Sequence, residues 1–292
     1  MDGIFTNLKR TFRAGNILAK LIYINVGLFI IIRLSGIVFM LFNVPGIPYL
    51  PYLQMPSSPE LFLFRPWTII TYMFTHFDFL HILFNMLWLY WFGGLFLTFF
   101  SERQLGGLYL LGGIAGGILF MAAYNIFPYF KAVAPYSYLM GASASVMAIV
   151  FAVSFYKKDL EINLFLIGRI KLIYLALFTF VIDLLAITSE NAGGHIAHIG
   201  GALFGIWFAA RIRQGKDLTA PMNRIVDGVV NLFKPKPKMR VTHRRPETDY
   251  EYNARKHREN ADLDAILDKL KRSGYESLSA EEKRKLFDAS KK

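Results

Sequence analysis

Gly141-Ala142-Ser143-Ala144-Ser145 and His195-Ile196-Ala197-His198-Ile199-Gly200-Gly201 each sit where a long apolar run begins, which carries a hydroxyl and an imidazole into a membrane-like environment. Polar groups are costly there and normally face a packed interior or a water-filled cavity, so a Ser and a His in such runs define a functional-site hypothesis. Around them, 54% of the 292 residues are hydrophobic, 16% aromatic and 18% charged, a balance no single soluble domain of this size needs. The first 212 residues hold nearly all of the apolar content. They divide into six candidate spans, roughly 18 to 43, 79 to 100, 105 to 127, 140 to 156, 163 to 187 and 195 to 212. About 20 apolar residues at 1.5 Å each cross a core of roughly 30 Å, so the fourth and sixth spans are short.

These runs predict an all-α membrane protein. Its expected parts are an N-terminal segment 1–17, a six-helix bundle over 18–212, a basic flexible linker over 213–250 and a small helical tail over 251–292. The first apolar run is too long for a signal-peptide core and lacks a cleavage site, so the first helix is expected to be retained. Cysteine is absent, which excludes disulfides and thiolate metal sites.

Basic residues set the orientation. Lys9, Arg10, Arg13 and Lys20 precede span one, Arg65 alone marks the long loop 44–77, Lys157, Lys158, Arg169 and Lys171 lie between spans four and five, and Arg211, Arg213 and Lys216 follow span six. The positive-inside rule then predicts a multi-pass protein of the cell membrane with both termini cytoplasmic. In that topology spans two, four and six start on the outer side, and His81, Asn85, Ser143, His195 and His198 all lie near those starts. One outward-facing site could hold all five.

A serine hydroxyl is a weak nucleophile and needs a base within hydrogen-bond reach, for which a neutral imidazole is the usual choice near pH 7. Ser143 and His198 are the natural pair, and a tight crossing of spans four and six, favoured by Gly141, Gly201 and Gly205, would bring them together. Acyl transfer also needs donors aimed at the developing oxyanion. His81 and Asn85, four apart on one helical face, fit that role, with the backbone N–H of Ser143 at a helix start as a third donor.

The segment His81-Ile82-Leu83-Phe84-Asn85, the Gly141-Ala142-Ser143 triplet and Ala197-His198-Ile199-Gly200-Gly201 followed by Gly205 resemble the HxxxN, GxS and AHxxGxxxG signatures of rhomboid intramembrane serine proteases, in order and spacing over residues 18–212. The resemblance implies a catalytic Ser143–His198 dyad without an acid, His81 and Asn85 at the oxyanion, and cleavage of single-span membrane proteins near the outer leaflet through an acyl-enzyme. Trp67 resembles the tryptophan of the family's WR motif, but Thr68 replaces its arginine, with Arg65 nearby. Ala144 replaces the second glycine of GxSG, an extra methyl expected to narrow the site.

Other residues receive plainer readings. Ser145 and the Gly112-Gly113 and Gly116-Gly117 pairs are expected to serve helix packing. His195 is expected to cap or be solvated, His76 to be structural, and Asp183 to be a protonated or interface-facing structural aspartate. No HExxH occurs and the nearby acids are few (Asp78, Asp183, Glu190), so neither a metal nor a cofactor is expected. Beyond residue 213, Lys234, Lys236, Lys238, Arg240, Arg244 and Arg245 are read as holding an anionic lipid bilayer surface. With topology explaining much of the net charge of +12, nucleic acid is not an expected partner. Leu263-Ile266-Leu267-Leu270 closed by Gly274, and a Ser279/Glu282 capping box, predict a small helical hairpin that docks on an unidentified partner or on the membrane domain. The rival readings are a rhomboid-like protein that binds membrane proteins without cutting them, which would typically lack Ser143 or His198, and a small-solute transporter, which would show repeated halves.

Overall fold

A computed structural model describes residues 15–164, 168–233 and 247–290. Lys9, Arg10, Arg13 and the basic cluster from Lys234 to Arg245 lie outside the described residues. The chain forms two compact units, Met1–Lys234 and Pro235–Lys292.

In the first unit α1 spans Ile17–Leu41, capped by the Asn16 side chain, which accepts from the Ala19 N–H at 3.0 Å. The long loop that follows holds the strand β1 (Met55–Pro56) and two short helices, α2 (Pro59–Phe64) and α3 (Thr68–Thr71). Next come α4 (Phe79–Leu97), opened by Asp78, and α5 (Glu102–Ile126), opened by a Ser101/Gln104 capping box. The strand β2 (Tyr138–Leu139) leads into α6 (Ser143–Tyr156). A hairpin of β3 (Glu161–Leu164) and β4 (Gly168–Lys171) precedes α7 (Leu172–Leu185), and α8 (Ala192–Ile212) and α9 (Ala220–Phe233) complete the unit.

Helices α1, α4, α5 and α8 are long and apolar enough to cross a membrane, and α6 and α7 are shorter apolar helices of 14 residues each. At 1.5 Å per residue, 14 residues reach only about 21 Å, short of the roughly 30 Å hydrocarbon core. Three sequence expectations change. The chain is mostly helical rather than all-α, because β1 pairs antiparallel with β2 and β3 with β4. The fifth apolar run loses its start to the β3–β4 hairpin, where Asn163, Arg169 and Lys171 break the run's hydrophobicity. Residues 220–233, read as flexible linker, form α9, which is tied to α5 by the Arg103–Asp227 ion pair, and just ahead of it Asp217 accepts from Gln104 Nε2 at 3.2 Å.

Glycine and alanine hold the centre together. A Cβ on Gly201 would stand 2.0 Å from the Ala144 carbonyl oxygen, one on Gly205 2.3 Å from that of Ala148, and one on Gly116 2.6 Å from the Ala144 methyl. Backbones of α5, α6 and α8 therefore touch, as small-residue stripes permit. The first loop is fixed by polar contacts: Tyr72 Oη donates to the Gly113 carbonyl at 2.6 Å, and Tyr109 Oη to that of Met73 at 2.9 Å. Arg65 lies over the Tyr52 ring at 4.1 Å and donates to the Pro51 carbonyl, while Trp67 Nε1 donates to the Tyr52 carbonyl. Arg65 thus anchors the loop in which Thr68 stands where the resemblance expects arginine.

The second unit is a helical hairpin. α10 (Asp249–Ser273) runs from a Thr248/Glu251 capping box to Gly274, and α11 (Ala280–Ala289) starts at a Ser279/Glu282 box. Ile266 and Leu278 are its buried apolar residues and Lys269 Nζ bonds Glu282 at 2.9 Å.

Candidate active site

Pairing of Met55 with Leu139 and Pro56 with Tyr138 brings the first loop against the segment just ahead of α6. The turn that follows depends on Gly141, at φ +115°, where a side chain would be strained and its Cβ would lie 2.7 Å from the His81 ring. The Gly141 N–H donates to the Tyr72 carbonyl at 2.9 Å and the Ala142 N–H to His76 Nε2 at 3.2 Å. His76 thereby fixes the turn leading to Ser143. It lies in the connection ahead of α4, where burial, with His81 the second cause, pushes it down to about 3 and keeps the accepting nitrogen unprotonated.

Ser143 is half-buried and is the first residue of α6, so its N–H has no intrahelical acceptor. Its Oγ makes no hydrogen bond among the described residues. Asp78 caps α4 by accepting from the His81 N–H at 2.9 Å. One turn on, Asn85 donates from Nδ2 to the His81 carbonyl at 2.9 Å, which leaves its second N–H for another acceptor. Ser143, His81, Asn85 and His198 line one cavity of about 400 Å³, with Leu80, Phe84, Trp88 and Ile182 among its apolar walls.

Not every expectation about this region holds. Asp183 is buried, and its Oδ1 lies 2.9 Å from His198 Nδ1 and 2.8 Å from His195 Nδ1. It is therefore a hydrogen-bonded member of the site, and His195, expected to cap or be solvated, is its second partner. The signal was present: Leu172, Ala176 and Asp183, the buried residues of α7, recur at helical spacing and mark one inward stripe. Ala144 does not narrow the cavity, because its methyl meets Gly116 in the helix seam. Ser145 is buried away from the cavity, its hydroxyl unpartnered.

Asp183, His195 and His198 are also the one group among the described residues whose donor atoms converge as metal ligands do, within 4.8 Å of one another. Their 2.8 and 2.9 Å separations are hydrogen-bond lengths.

A rhomboid domain model matches residues 64–215, just over half of the chain. The chain belongs to the rhomboid family. It is 31% identical over 192 residues to the mouse and human presenilin-associated rhomboid-like proteins, mitochondrial, covering 61% of this chain and 46% of each relative. It is 28% identical over 213 residues to the Arabidopsis thaliana RHOMBOID-like protein 12, mitochondrial, covering 69% of this chain and 60% of the relative. The chain thus spans about half the length of the mammalian rhomboid relatives. A family of unknown function, DUF6576, matches residues 247–292, the helical hairpin. These relatives overturn the expected cell-membrane location, because they are mitochondrial proteins. A positive-inside bias orients a rhomboid in whichever membrane receives it and carries no address.

Proposed function

We propose that this rhomboid is an intramembrane serine endopeptidase acting on single-span membrane proteins, with α6 and α7 completing a six-helix membrane domain. The observation that carries the reading is the shared cavity, in which Ser143, His198, His81 and Asn85 meet although they come from three separate helices. With its Nδ1 engaged by Asp183, His198 keeps Nε2 as the nitrogen able to act as base.

Ser143 Oγ attacks the scissile carbonyl carbon as its proton passes to His198 Nε2. The tetrahedral oxyanion is stabilised by the Ser143 N–H and the side-chain donors of His81 and Asn85. Collapse breaks the C–N bond, the amine leaves with the proton from His198, and an acyl-enzyme remains. Water then attacks, deprotonated by His198, and the carboxylic product leaves with Ser143 restored. The catalytic hydrogen bond between Ser143 and His198 forms when substrate enters, as such contacts tighten on binding.

The test is cleavage of a single-span reporter by purified protein in liposomes. Ser143→Ala and His198→Ala are each expected to abolish product while leaving the folded protein intact. Equal cleavage by Ser143→Ala would sink the protease reading, and the binding-only reading would take its place.

A further inference from the structure

We infer that Asp183 is a positioning residue for His198, so that the site works as a Ser–His–Asp arrangement built inside a membrane domain, with His195 holding the carboxylate in place. This rests on the protease reading of Ser143 and His198.

In the proposed arrangement Asp183 is a carboxylate, which only accepts hydrogen bonds, and both imidazoles donate to its Oδ1 from Nδ1. That contact fixes His198 as the Nδ1–H tautomer and gives its Nε2 the free lone pair that deprotonating Ser143 requires. Asp183 reaches this position from α7 and His198 from α8, and both line the cavity with Ser143. His195 does not line it. One turn before His198 on the same helix, it donates to the same oxygen and restrains the carboxylate without facing the substrate.

A carboxylate in apolar surroundings persists only when paired, and structural aspartates usually pair with a helix N-terminus or an Arg or Lys. Asp183 is 5% exposed and lies near the end of α7, where the macrodipole disfavours an anion. Its hydrogen-bond partners among the described residues are the two imidazoles. Fastening α7 to α8 would need no acid that reaches the cavity. Holding His198 does.

The experiment compares wild type, Asp183→Asn, Asp183→Glu and His195→Gln in the liposome reporter assay. Asn has the same shape without the charge: with Nδ2 turned to His198 it imposes the Nε2–H tautomer that cannot accept a proton, and with Oδ1 turned there it still removes the charge that stabilises the imidazolium. In Asp183→Asn, kcat is expected to fall by about 10³ to 10⁴, as in other triads that lose their acid, with KM within about threefold. Asp183→Glu should recover at least about tenfold over Asn, and His195→Gln should lose about tenfold or less. A kcat for Asp183→Asn within about threefold of wild type, with Ser143→Ala inactive, overturns the inference and leaves the dyad standing. Activity in Ser143→Ala overturns the underlying reading whatever Asp183→Asn does.

A measurement on the wild-type protein does not depend on whether the Asp183 and His195 variants fold. With ¹⁵N-histidine incorporated and His198→Ala used for assignment, the His198 nitrogen shifts report the tautomer. Nδ1–H supports the inference, and Nε2–H overturns it.

Discussion

Helices α6 and α7 have the same length and opposite surroundings: eleven of the fourteen residues of α6 are buried, against three of the fourteen of α7. Each is too short to cross a bilayer core alone. In α6 the shortness is harmless, because α5 and α8 close around it along most of its length. α7 is preceded by the β3–β4 hairpin, and its exposed side shows Phe178, Val181, Leu184 and Leu185. The central helix carries Ser143 on a fixed backbone. The peripheral helix contributes one polar side chain, Asp183, on its single inward stripe. A fully packed helix can position a reacting atom, while a loosely packed one serves best through a directional hydrogen bond that corrects its placement.

The contrast breaks most visibly at Gly201. In Gly201→Val the new Cβ would have to occupy a point 2.0 Å from the Ala144 carbonyl oxygen, so we expect destabilisation of about 3 kcal/mol or more and loss of cleavage. Thermal unfolding in detergent together with reporter cleavage measures it; a wild-type melting curve would mean that the seam does not hold Ser143 in place.

Ala176→Leu sharpens the comparison on the other helix. Ala176 is fully buried on the inward stripe of α7, and the larger side chain should cost about 1 to 3 kcal/mol, whereas Phe178→Leu on the exposed side should stay within about 0.5 kcal/mol. Equal effects in unfolding experiments would deny that α7 has one inward stripe.

The turn before α6 gives a pH-dependent version of the same test. His76 titrates near 3 when folded and near its ordinary 6.5 when unfolded, so the stability from its burial is complete above about 6.5 and declines as pH falls towards 3. His76→Gln, which retains an acceptor but cannot charge, should flatten the fall in melting temperature between about pH 6.5 and 4.5. Parallel curves for the two proteins would remove His76 as the cause.

A small effect is also expected outside both helices. Arg103→Ala breaks the exposed pair with Asp227 and should shift stability by less than about 1 kcal/mol, read from the same melting curves. A larger loss would make α9 a structural part of the membrane unit rather than an appended helix.

Hydropathy alone located the six apolar helices to within a few residues, apart from the start of α7, because a run of apolar side chains is a local property. The likeness of Ser143, His81, Asn85 and His198 to one another in topology was legible for a related reason: charge bias put three helix starts on one side, and those four residues now share a cavity. Asp183 was harder to read. Its role depends on which way α7 faces, and α7 is so apolar all round that only the spacing of Leu172, Ala176 and Asp183 betrays the inward side. The β1–β2 pairing escaped because two-residue strands leave no alternation to detect. Residues 220–233 escaped because their Pro, Gly and Asn content hid an amphipathic pattern, and the membrane address because charge encodes orientation alone.

The seam of Gly112, Gly116, Ala144, Ala148, Gly201 and Gly205 has one more consequence. Glycine and alanine have no rotamers to freeze, so these helices associate with almost no loss of side-chain conformational entropy, where each Leu or Ile would surrender about 0.5 to 1 kcal/mol. Nor do such residues offer alternative packings to hop between. Thermal motion therefore finds no soft side-chain coordinate along which α6 can slide against α8, and the spacing between Ser143 and His198 is set by the stiffness of the main chain itself.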